Sequence, residues 1–409
     1  MLLHRIIRND YELLAPAGDF ERLEMALCYG ADAVYLAGRG FGMRSAAANF
    51  DDDSLRRAVE LAHGRGKRIY VTVNTLPRED ELNPLCDYLE FLQDAKVDAL
   101  IVSDLGVLAL AKRFAPDVHL HISTQFGVVN SATANVLHAM GADTVVLARE
   151  LSLEEIRKIR ANTPAELRLE AFVHGAMCVS FSGRCLLSNY MTGRDANRGE
   201  CAQPCRWKYY LVEEQRPGQY FEISEDGGTY IMNSNDLRMI DHLQELADAG
   251  VSSFKIEGRM KSAYYTAAVT NAYRHAVDAI SERNEVPEIW IRETEKVSHR
   301  PYTTGFYIGE PGQHTGEKCY TSEAKFVGVV ESCEADGYAV VTQRNRFAVG
   351  EELELLTPEG EPLRFTPDWL LNADGESILE AAHPMMEVHM RLPKQAPRLS
   401  ILRRCTGKP

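Results

Sequence analysis

The sequence predicts an α/β protein in two parts: a (β/α)8 barrel with a cysteine-rich insertion after its seventh strand, and a small C-terminal all-β barrel domain. Short apolar runs alternate with amphipathic helical patterns over most of the first 281 residues, which is typical of parallel strands joined by helices. Eight such units favour a closed barrel over an open sheet. From residue 323 the pattern changes to alternating apolar and polar residues between turns, which indicates antiparallel strands.

The predicted barrel strands are short apolar runs, each followed by a polar loop and a helical pattern. In chain order they are residues 12–15, 33–36, 68–73, 99–102, 120–123, 144–148, 167–172 and 253–256. Predicted helices include residues 54–63, 105–114, 130–140 and 237–249, and residues 263–281 form the helix that closes the barrel. The glycines at residues 38, 40 and 42 miss the spacing of a dinucleotide-binding loop, so we expect no such site.

Composition divides the chain into four segments. We predict the barrel domain over residues 1–292, with the insertion at 175–236, and a linker rich in Gly, Pro and Thr at 293–320. The β domain spans residues 321–393, with strands at 326–330, 338–341, 352–356, 378–381 and 387–390, and a basic tail occupies residues 394–409. We expect the small domain to close into a barrel, because short open strands leave unpaired edges.

The charge of the 409-residue chain is negative overall but unevenly distributed. With 45 Lys and Arg against 59 Asp and Glu, the formal net charge is −14, which argues against a general nucleic-acid binder. Residues 178–210 nevertheless carry five cations against two anions, and residues 391–409 carry six cations and no anion. No apolar stretch approaches the roughly 20 residues that span a bilayer, and the N-terminus is too charged for a secretory signal. We therefore expect a cytoplasmic protein without a membrane segment.

Four of the nine cysteines are clustered directly after the seventh predicted strand. Their spacing is Cys-x6-Cys-x15-Cys-x3-Cys, formed by Cys178, Cys185, Cys201 and Cys205. An odd total in a chain without a secretory signal argues against a disulfide framework. Four thiolates can hold a tetrahedral Zn2+ or a [4Fe–4S] cluster, and the wide first gap suits the cluster at least as well as zinc.

Polar residues at the carboxyl ends of the predicted strands are candidates for an active site, because the working groups of parallel α/β barrels lie there. His174 follows the seventh strand and is either a general base or a hydrogen-bonded structural residue. Glu170 and Glu257 are either acid–base groups or structural partners of arginines such as Arg184 and Arg259. The chain contains no H-E-x-x-H, G-x-S-x-G or Walker A pattern, so the usual hydrolase and nucleotide-binding signatures are missing.

Two segments around the cysteines resemble a known family. Residues 170–188 (EAFVHGAMCVSFSGRCLLS) and 197–207 (NRGECAQPCRW) look like the signature of the peptidase U32, or collagenase-like protease, family. Residues 12–19 (ELLAPAGD), 255–259 (KIEGR) and 299–306 (HRPYTTGF) also resemble it, so the likeness extends over nearly the whole chain.

The resemblance implies a barrel with a four-cysteine [4Fe–4S] site and an activity in oxygen-independent hydroxylation. Members resemble one another in this way, and several hydroxylate tRNA uridine, a ribosomal RNA cytidine or ubiquinone precursors. A barrel with one small β domain is similar to the branch that forms 5-hydroxyuridine at the wobble position of tRNA with prephenate as co-substrate. Residues 326–330 and 344–353 resemble the C-terminal domain of that branch.

Residues at the predicted strand ends, in the cysteine segment and in the basic segments are candidates for roles in the activity that the resemblance implies. The four cysteines would hold the cluster, and the catalytic candidates are His174, Glu170 and Glu257. The candidates for binding prephenate and the substrate base are Arg44, Asn74, Gln125, Arg149, Arg184 and Arg259, because a guanidinium matches a carboxylate. Contacts with the tRNA anticodon loop are expected from Arg194, Arg198, Arg206, Arg344, Arg346, Arg403 and Arg404, and Phe181, Tyr190 and Trp207 could stack on bases.

Other functions remain open at this point. They are an atypical peptidase, a hydroxylase of another substrate, and an RNA-binding or partner-docking module with a structural zinc. A related U32 subunit is a further expected partner. The cluster's role is also open among electron transfer, Lewis-acid chemistry and a structural function.

Overall fold

The computed structural model describes residues 11–43, 48–178, 180–207, 211–212, 220–221, 234–312 and 320–406. The strands are, in chain order, β1 (Glu12–Pro16), β2 (Ala33–Leu36), β3 (Arg68–Val73), β4 (Ala99–Val102), β5 (His119–Ile122), β6 (Thr144–Val146), β7 (Arg168–Ala176), β8 (Leu211–Val212), β9 (Tyr220–Phe221), β10 (Asp236–Arg238), β11 (Ser253–Ile256), β12 (Tyr302–Thr303), β13 (Ala324–Cys333), β14 (Tyr338–Gln343), β15 (Phe347–Ala348), β16 (Leu353–Leu356), β17 (Leu363–Phe365), β18 (Leu370–Asn372), β19 (Ser377–Ile378), β20 (Glu380–Ala381), β21 (Glu387–Arg391) and β22 (Ile401–Cys405). The α-helices are α1 (Phe20–Cys28), α2 (Asp52–His63), α3 (Leu82–Asp94), α4 (Leu105–Phe114), α5 (Ser131–Ala139), α6 (Leu153–Ala161), α7 (Leu187–Thr192), α8 (Leu243–Asp248), α9 (Ala263–Ser281) and α10 (Glu288–Glu293).

Eight parallel strands form a closed barrel. Strands β1 to β7 pair in chain order, and β11 pairs in parallel with both β7 and β1, which closes the sheet. The predicted barrel is confirmed, and so is the position of the insertion between its seventh and eighth strands. Because parallel strands end on the same side of a barrel, the insertion and the loops that follow the other strands meet at one mouth.

The helices begin where the sequence supplies a capping side chain. Asp19, Asp51, Asp104 and Ser152 each precede a helix and accept a hydrogen bond from a backbone N–H of its first turn. The predicted helix at 237–249 is shorter than expected, since α8 covers only Leu243–Asp248. The reason is that Leu237 belongs to β10, which pairs antiparallel with the end of β7.

The predicted linker at 293–320 is folded against the barrel over its described part. Strand β12 pairs with β10, and Arg300 is fully buried beside Asp236. The Arg300 Nε donates to Asp236 Oδ1 at 2.9 Å, and Nη2 donates to the same oxygen at 2.7 Å. The buried ion pair between Arg300 and Asp236 therefore fixes this segment to the barrel.

The C-terminal domain is an antiparallel β domain, as predicted. Its main sheet has eight strands in the order β17-β16-β22-β13-β14-β21-β18-β19. Strand β22 pairs with both β13 and β16, so residues 401–405 form an interior strand of this sheet. The prediction of a basic tail is wrong for this segment, because the apolar Ile401 and Leu402 are buried and bring the neighbouring arginines into the fold.

Arg403 joins the two domains through a buried ion-pair network. Its guanidinium is fully buried and donates to Glu293 of α10 and to Glu354 of β16, while Lys296 also binds both carboxylates. Burial alone would raise the pKa of the Glu354 carboxyl, but Arg403 and Lys296 outweigh it and lower that pKa. Tyr29 adds a neutral contact, since its hydroxyl lies 3.1 Å from the carbonyl oxygens of residues 356 and 399.

None of the helices that the structure describes is both long and apolar enough to cross a membrane.

Candidate active site

One cavity opens at the mouth of the barrel and brings most of the predicted site together. It is lined by the ends of several barrel strands and by the cysteine-rich insertion. The predicted residues that line it are Asn74, Gln125, Arg149, Glu257, Arg259, Cys178, Cys185, Cys201 and Cys205. Residues far apart in sequence therefore face the same space because parallel strands present their carboxyl ends together.

The four cysteines reach this cavity from short turns in the insertion. Backbone N–H groups two residues further on donate to three of the sulfurs: Ser180 to Cys178 at 3.4 Å, Leu187 to Cys185 at 3.3 Å, and Gln203 to Cys201 at 3.4 Å. Such donors stabilise negative charge on sulfur, which is the form that binds metal.

The sulfur donor set fits an iron–sulfur cluster in its chemistry. Thiolates are the ligands of [4Fe–4S] clusters, and four of them line one cavity here. Within the described ranges, no three His, Cys, Asp or Glu side chains converge on a point that a single ion could occupy. The thiols instead lie around the walls of the cavity, together with the strand-end residues.

Glu150 anchors the insertion to the end of the sixth barrel strand. Its two carboxylate oxygens accept hydrogen bonds from the backbone N–H of Ser182 at 2.6 Å and from the Ser182 hydroxyl at 2.8 Å. Ser182 is buried and has a positive φ of 47°, a conformation that needs support in a residue other than glycine. The carboxylate thus holds the turn between Cys178 and Cys185 in place.

Replacing Glu150 with glutamine is expected to loosen this turn. Hydrogen bonds to a charged acceptor contribute about 1.5–3 kcal/mol, so the Ser182 amide should exchange about 10- to 100-fold faster. Hydrogen exchange of residues 180–185 measures the effect. Glu154→Gln, an exposed carboxylate on α6, is the matched control and should leave the exchange unchanged. Equal exchange in the two variants would show that Glu150 does not hold the turn.

Arg198, one of the arginines predicted to bind RNA, also fixes the insertion. Its guanidinium makes two hydrogen bonds to the Glu81 carboxylate, from Nη1 at 2.8 Å and from Nη2 at 2.6 Å. The bonded Arg198 lowers the pKa of Glu81 to about 2. The pair connects the insertion to the short helix that precedes α3. Arg198 therefore has a structural role in holding the insertion.

Arg149 and Lys255 are cations in the wall of the cavity. The Arg149 guanidinium lies 3.8 Å from the centre of the Phe172 ring, donates to the Ala176 carbonyl at 2.9 Å and is 3.7 Å from Glu257. Lys255 is buried, with its Nζ 2.7 Å from Glu170 Oε1. Both cations therefore have anionic neighbours and still lie on the cavity surface.

Arg259 lines the cavity but is engaged in holding its rim. Its Nη1 donates to the Met43 carbonyl at 2.8 Å and to Thr72 Oγ1 at 3.3 Å, and Nη2 donates to Asn49 Oδ1 at 2.6 Å. These bonds fix the segment that follows β2. The predicted Arg44 belongs to this segment but lies outside the described residues. The side chain of Arg206 is also outside them.

His174 and Glu170 do not line the cavity, contrary to the catalytic roles predicted for them. Glu170 is fully buried in the barrel interior, where it binds Lys255 and the Ser253 hydroxyl. His174 is buried against Tyr273, whose hydroxyl is 3.3 Å from Nδ1. The sequence places both at a strand end, but Glu170 is enclosed within the barrel, bound to Lys255. His174 follows a register shift in the pairing of β7 with β11 and packs against Tyr273 of α9.

The fold of the protein is expected to weaken in mild acid through His174. Burial, reinforced by the nearby charges of His299, Lys261 and Arg238, holds the pKa of His174 well below its ordinary value of 6.5. The unfolded chain therefore binds a proton below about pH 6.5 that the folded chain does not, and stability falls as pH drops through that range, by up to about 1.4 kcal/mol per unit. Unfolding of wild type and His174→Gln from pH 8 to 5.5 measures the difference, and parallel profiles would contradict it.

The remaining arginines predicted to bind RNA lie in different environments. Arg403 is fully buried, so the prediction that it contacts RNA is wrong. Arg344 pairs with Glu21 and Arg404 pairs with Glu351, while Arg346 is largely exposed beside Glu380. Arg184 and Arg194 are exposed on the insertion. Around them lie the exposed apolar side chains Phe181, Leu186, Tyr190, Met191 and Trp207.

Sequence reasoning missed Lys255 and the anchoring role of Glu150. Lys255 had a detectable signal, since a lysine inside a buried parallel strand is unusual and it precedes Glu257 by two residues on the same face. The Glu150–Ser182 contact had no such signal, because the two residues are 32 positions apart and the turn that joins them is irregular.

Comparison with known proteins identifies the family. The sequence model of Peptidase family U32 matches residues 18–317, and that of the Peptidase family U32 C-terminal domain matches residues 322–403. This chain belongs to peptidase family U32. The resemblance carried by the cysteine segment is therefore confirmed.

Several relatives carry names that concern RNA, and three of them illustrate the match. The tRNA hydroxylation protein P1 of Bacillus subtilis is 39% identical, covering 96% of this chain and 94% of that protein. The tRNA hydroxylation protein P of Escherichia coli is 37% identical, with 90% of each chain covered. The 23S rRNA 5-hydroxycytidine C2501 synthase of E. coli is 40% identical over 74% of this chain and 46% of that protein.

Proposed function

We propose that this U32 protein hydroxylates carbon 5 of uridine 34, the wobble base of tRNA, without molecular oxygen. The observation that carries the proposal is that the four cysteines and the strand-end residues of the barrel line one cavity. Relatives named as tRNA hydroxylation proteins match the chain over both of its domains, which supports tRNA as the substrate.

The four cysteines are proposed to hold a [4Fe–4S] cluster at one wall of the cavity. The thiol donor set and the three N–H···S hydrogen bonds support this assignment over a site of neutral thiols. When bound, the cluster would supply either electrons or a Lewis-acidic iron. Zinc is the alternative metal, and metal analysis separates the two.

Prephenate is the proposed co-substrate, and the cavity offers cations for its two carboxylates. Arg149 presents a guanidinium whose Cζ lies 3.8 Å from the centre of the Phe172 ring, and a guanidinium can bind a carboxylate through two hydrogen bonds. Lys255 lies deeper, beside Glu170, and adds positive charge near the same ring. Glu257, which lines the same cavity 3.7 Å from Arg149, is the proposed group that accepts or returns a proton at its carboxylate.

The cysteine-rich insertion is suited to contact an unpaired nucleotide. Its described residues include the exposed aromatics Phe181, Tyr190 and Trp207 and the exposed cations Arg184 and Arg194. Aromatic side chains stack on bases, and a base in the anticodon loop can leave its stack at little cost. The substrate base would then enter the cavity past this insertion.

Nucleoside mass spectrometry of tRNA from a deletion strain tests the function. We expect 5-hydroxyuridine and nucleosides derived from it to disappear, and to return with the wild-type gene. Unchanged levels in a strain without a paralogue would refute the assignment. Ribosomal RNA and ubiquinone from the same strain serve as parallel measurements, since loss of 5-hydroxycytidine or of ubiquinone would point to the other hydroxylation substrates.

Metal content tests the cofactor separately. Protein purified without oxygen is expected to contain about four iron and four sulfide per chain. Stoichiometric zinc without iron would overturn the cluster assignment.

A further inference from the structure

A chain of hydrogen bonds fixes two side-chain amides in the cavity wall. The backbone N–H of Met43 donates to Asn74 Oδ1 at 3.0 Å. Asn74 Nδ2 in turn donates to Gln125 Oε1 at 2.8 Å, and the Ser123 hydroxyl lies 3.4 Å from the same oxygen. The Asn74 and Gln125 side chains come from the ends of the third and fifth barrel strands, and both line the cavity.

The orientation of each amide follows from the first bond. A backbone N–H can only donate, so the Asn74 atom that faces Met43 must be its oxygen. The Asn74 nitrogen then faces Gln125, and because it too only donates, the Gln125 atom opposite must be an oxygen. The NH2 group of Gln125 therefore points away from Asn74. Among the described residues it has no recorded acceptor.

We propose that Gln125 is a specificity-determining residue whose NH2 group donates a hydrogen bond to an oxygen of the ligand in the cavity. Asn74 is the positioning residue that keeps this donor turned towards the ligand. The acceptor is either the carbonyl oxygen at carbon 4 of a uracil base or a carboxylate oxygen of a small acid. The choice of these two ligands rests on the proposed function, whereas the amide orientation does not.

A donor at this position discriminates by polarity. It bonds to the carbonyl oxygen that uracil carries at carbon 4, but it faces another donor when cytosine places an amino group there. A site built to hydrogen-bond one group rejects an analogue that cannot pair with it. If the acceptor belongs to the base, Gln125 favours uridine over cytidine. If it belongs to the acid, Gln125 contributes to acid binding instead.

Two variants are expected to invert the polarity from different positions. Gln125→Glu replaces the donor by an acceptor of the same shape. Asn74→Asp leaves Gln125 intact, but its carboxylate has only acceptors, so Gln125 must turn its NH2 group towards residue 74 and its oxygen towards the ligand. Gln125→Met removes the hydrogen bond without adding charge. Gln244→Glu, on α8 outside the cavity, is the control for the added negative charge.

Binding to the iron-loaded full-length protein tests the proposal. One arm measures the affinity for two anticodon stem–loops that differ only in uridine or cytidine at position 34, so that their charge is equal. The other arm measures prephenate by calorimetry. If the acceptor belongs to the base, we expect both inverting variants to lose about tenfold or more of the preference for the uridine loop. If it belongs to the acid, we expect both variants to bind prephenate about tenfold or more weakly. Gln125→Met, which adds no charge, should then also weaken prephenate binding.

The outcomes separate this inference from the proposed function. Affinities that stay within about twofold of wild type in both arms overturn the role of Gln125, even if tRNA hydroxylation is established. If the deletion strain retains 5-hydroxyuridine and the wild-type protein binds neither loop, the proposed function fails. The role of Gln125 is then decided by the prephenate measurements alone. Wild-type protein that binds neither the loops nor prephenate overturns both.

Discussion

Under the proposed function, replacing Cys201 with serine is expected to abolish hydroxylation and to remove most of the iron of the proposed cluster. A serine hydroxyl is a poor ligand for iron–sulfur clusters, because it is neither soft nor ionised at neutral pH. Substituting a residue that only supports a metal ligand typically lowers metal affinity or activity about 10- to 100-fold. Loss of a ligand itself should therefore lower activity by at least about 100-fold. Iron and sulfide per chain, with 5-hydroxyuridine formation, are the measurements.

The barrel is expected to remain folded in this variant. Cys201 is partly exposed in the insertion, whereas the hydrophobic core lies among the barrel strands and their helices. Cys86→Ser is the matched control, since Cys86 is a partly buried cysteine on α3 that does not line the cavity. Full iron content and activity in Cys201→Ser would exclude this cysteine from the site, and a parallel loss in Cys86→Ser would indicate damage to the fold.

Replacing Arg403 with alanine is expected to destabilise the protein by about 3–5 kcal/mol. The substitution leaves the buried carboxylates of Glu293 and Glu354 with only Lys296, and breaking a buried pair from one side costs this much. Tyr264 and the two carboxylates outweigh burial and raise the pKa of Arg403 well above its ordinary value, which reflects how strongly the site favours the charged form. Denaturant unfolding followed in both domains measures the loss.

Arg346→Ala is the control for this prediction. Arg346 is 71% exposed and its partner Glu380 is 41% exposed, so the substitution should change stability by less than about 1 kcal/mol. Arg403→Lys is expected to fall between the two, because lysine keeps the charge but loses the planar fork that binds both carboxylates. Equal stability of Arg403→Ala and Arg346→Ala would show that the network does not hold the domains together.

Local patterns in the sequence were enough to predict the architecture. The eight strands are short apolar runs that can be recognised from local residue types without knowledge of their tertiary partners. The family signature around the cysteines carried the likeness to U32 proteins. The strand ends also gave Asn74, Gln125, Arg149 and Glu257 as candidates, because the position of a residue in a parallel strand decides which end of the barrel it occupies.

The predictions that were wrong concern residues whose partners are far away in sequence. His174 and Arg403 both have plausible local roles, one beside a strand end and the other in a run of cations. The structure buries both, since pairing of β10 covers His174 and the insertion of β22 between two strands encloses Arg403. Local charge and position do not reveal such burial.

The sequence by itself determined the fold class, the order of the two domains and the four cysteines of the candidate site. These follow from the period of apolar residues and from residue types that occur close together along the chain. Only the tertiary structure decided which cations face the cavity, which carboxylates are bound elsewhere and how the amide of Gln125 is turned. Each of these depends on hydrogen bonds between residues on different strands, and such bonds exist only once the barrel has closed.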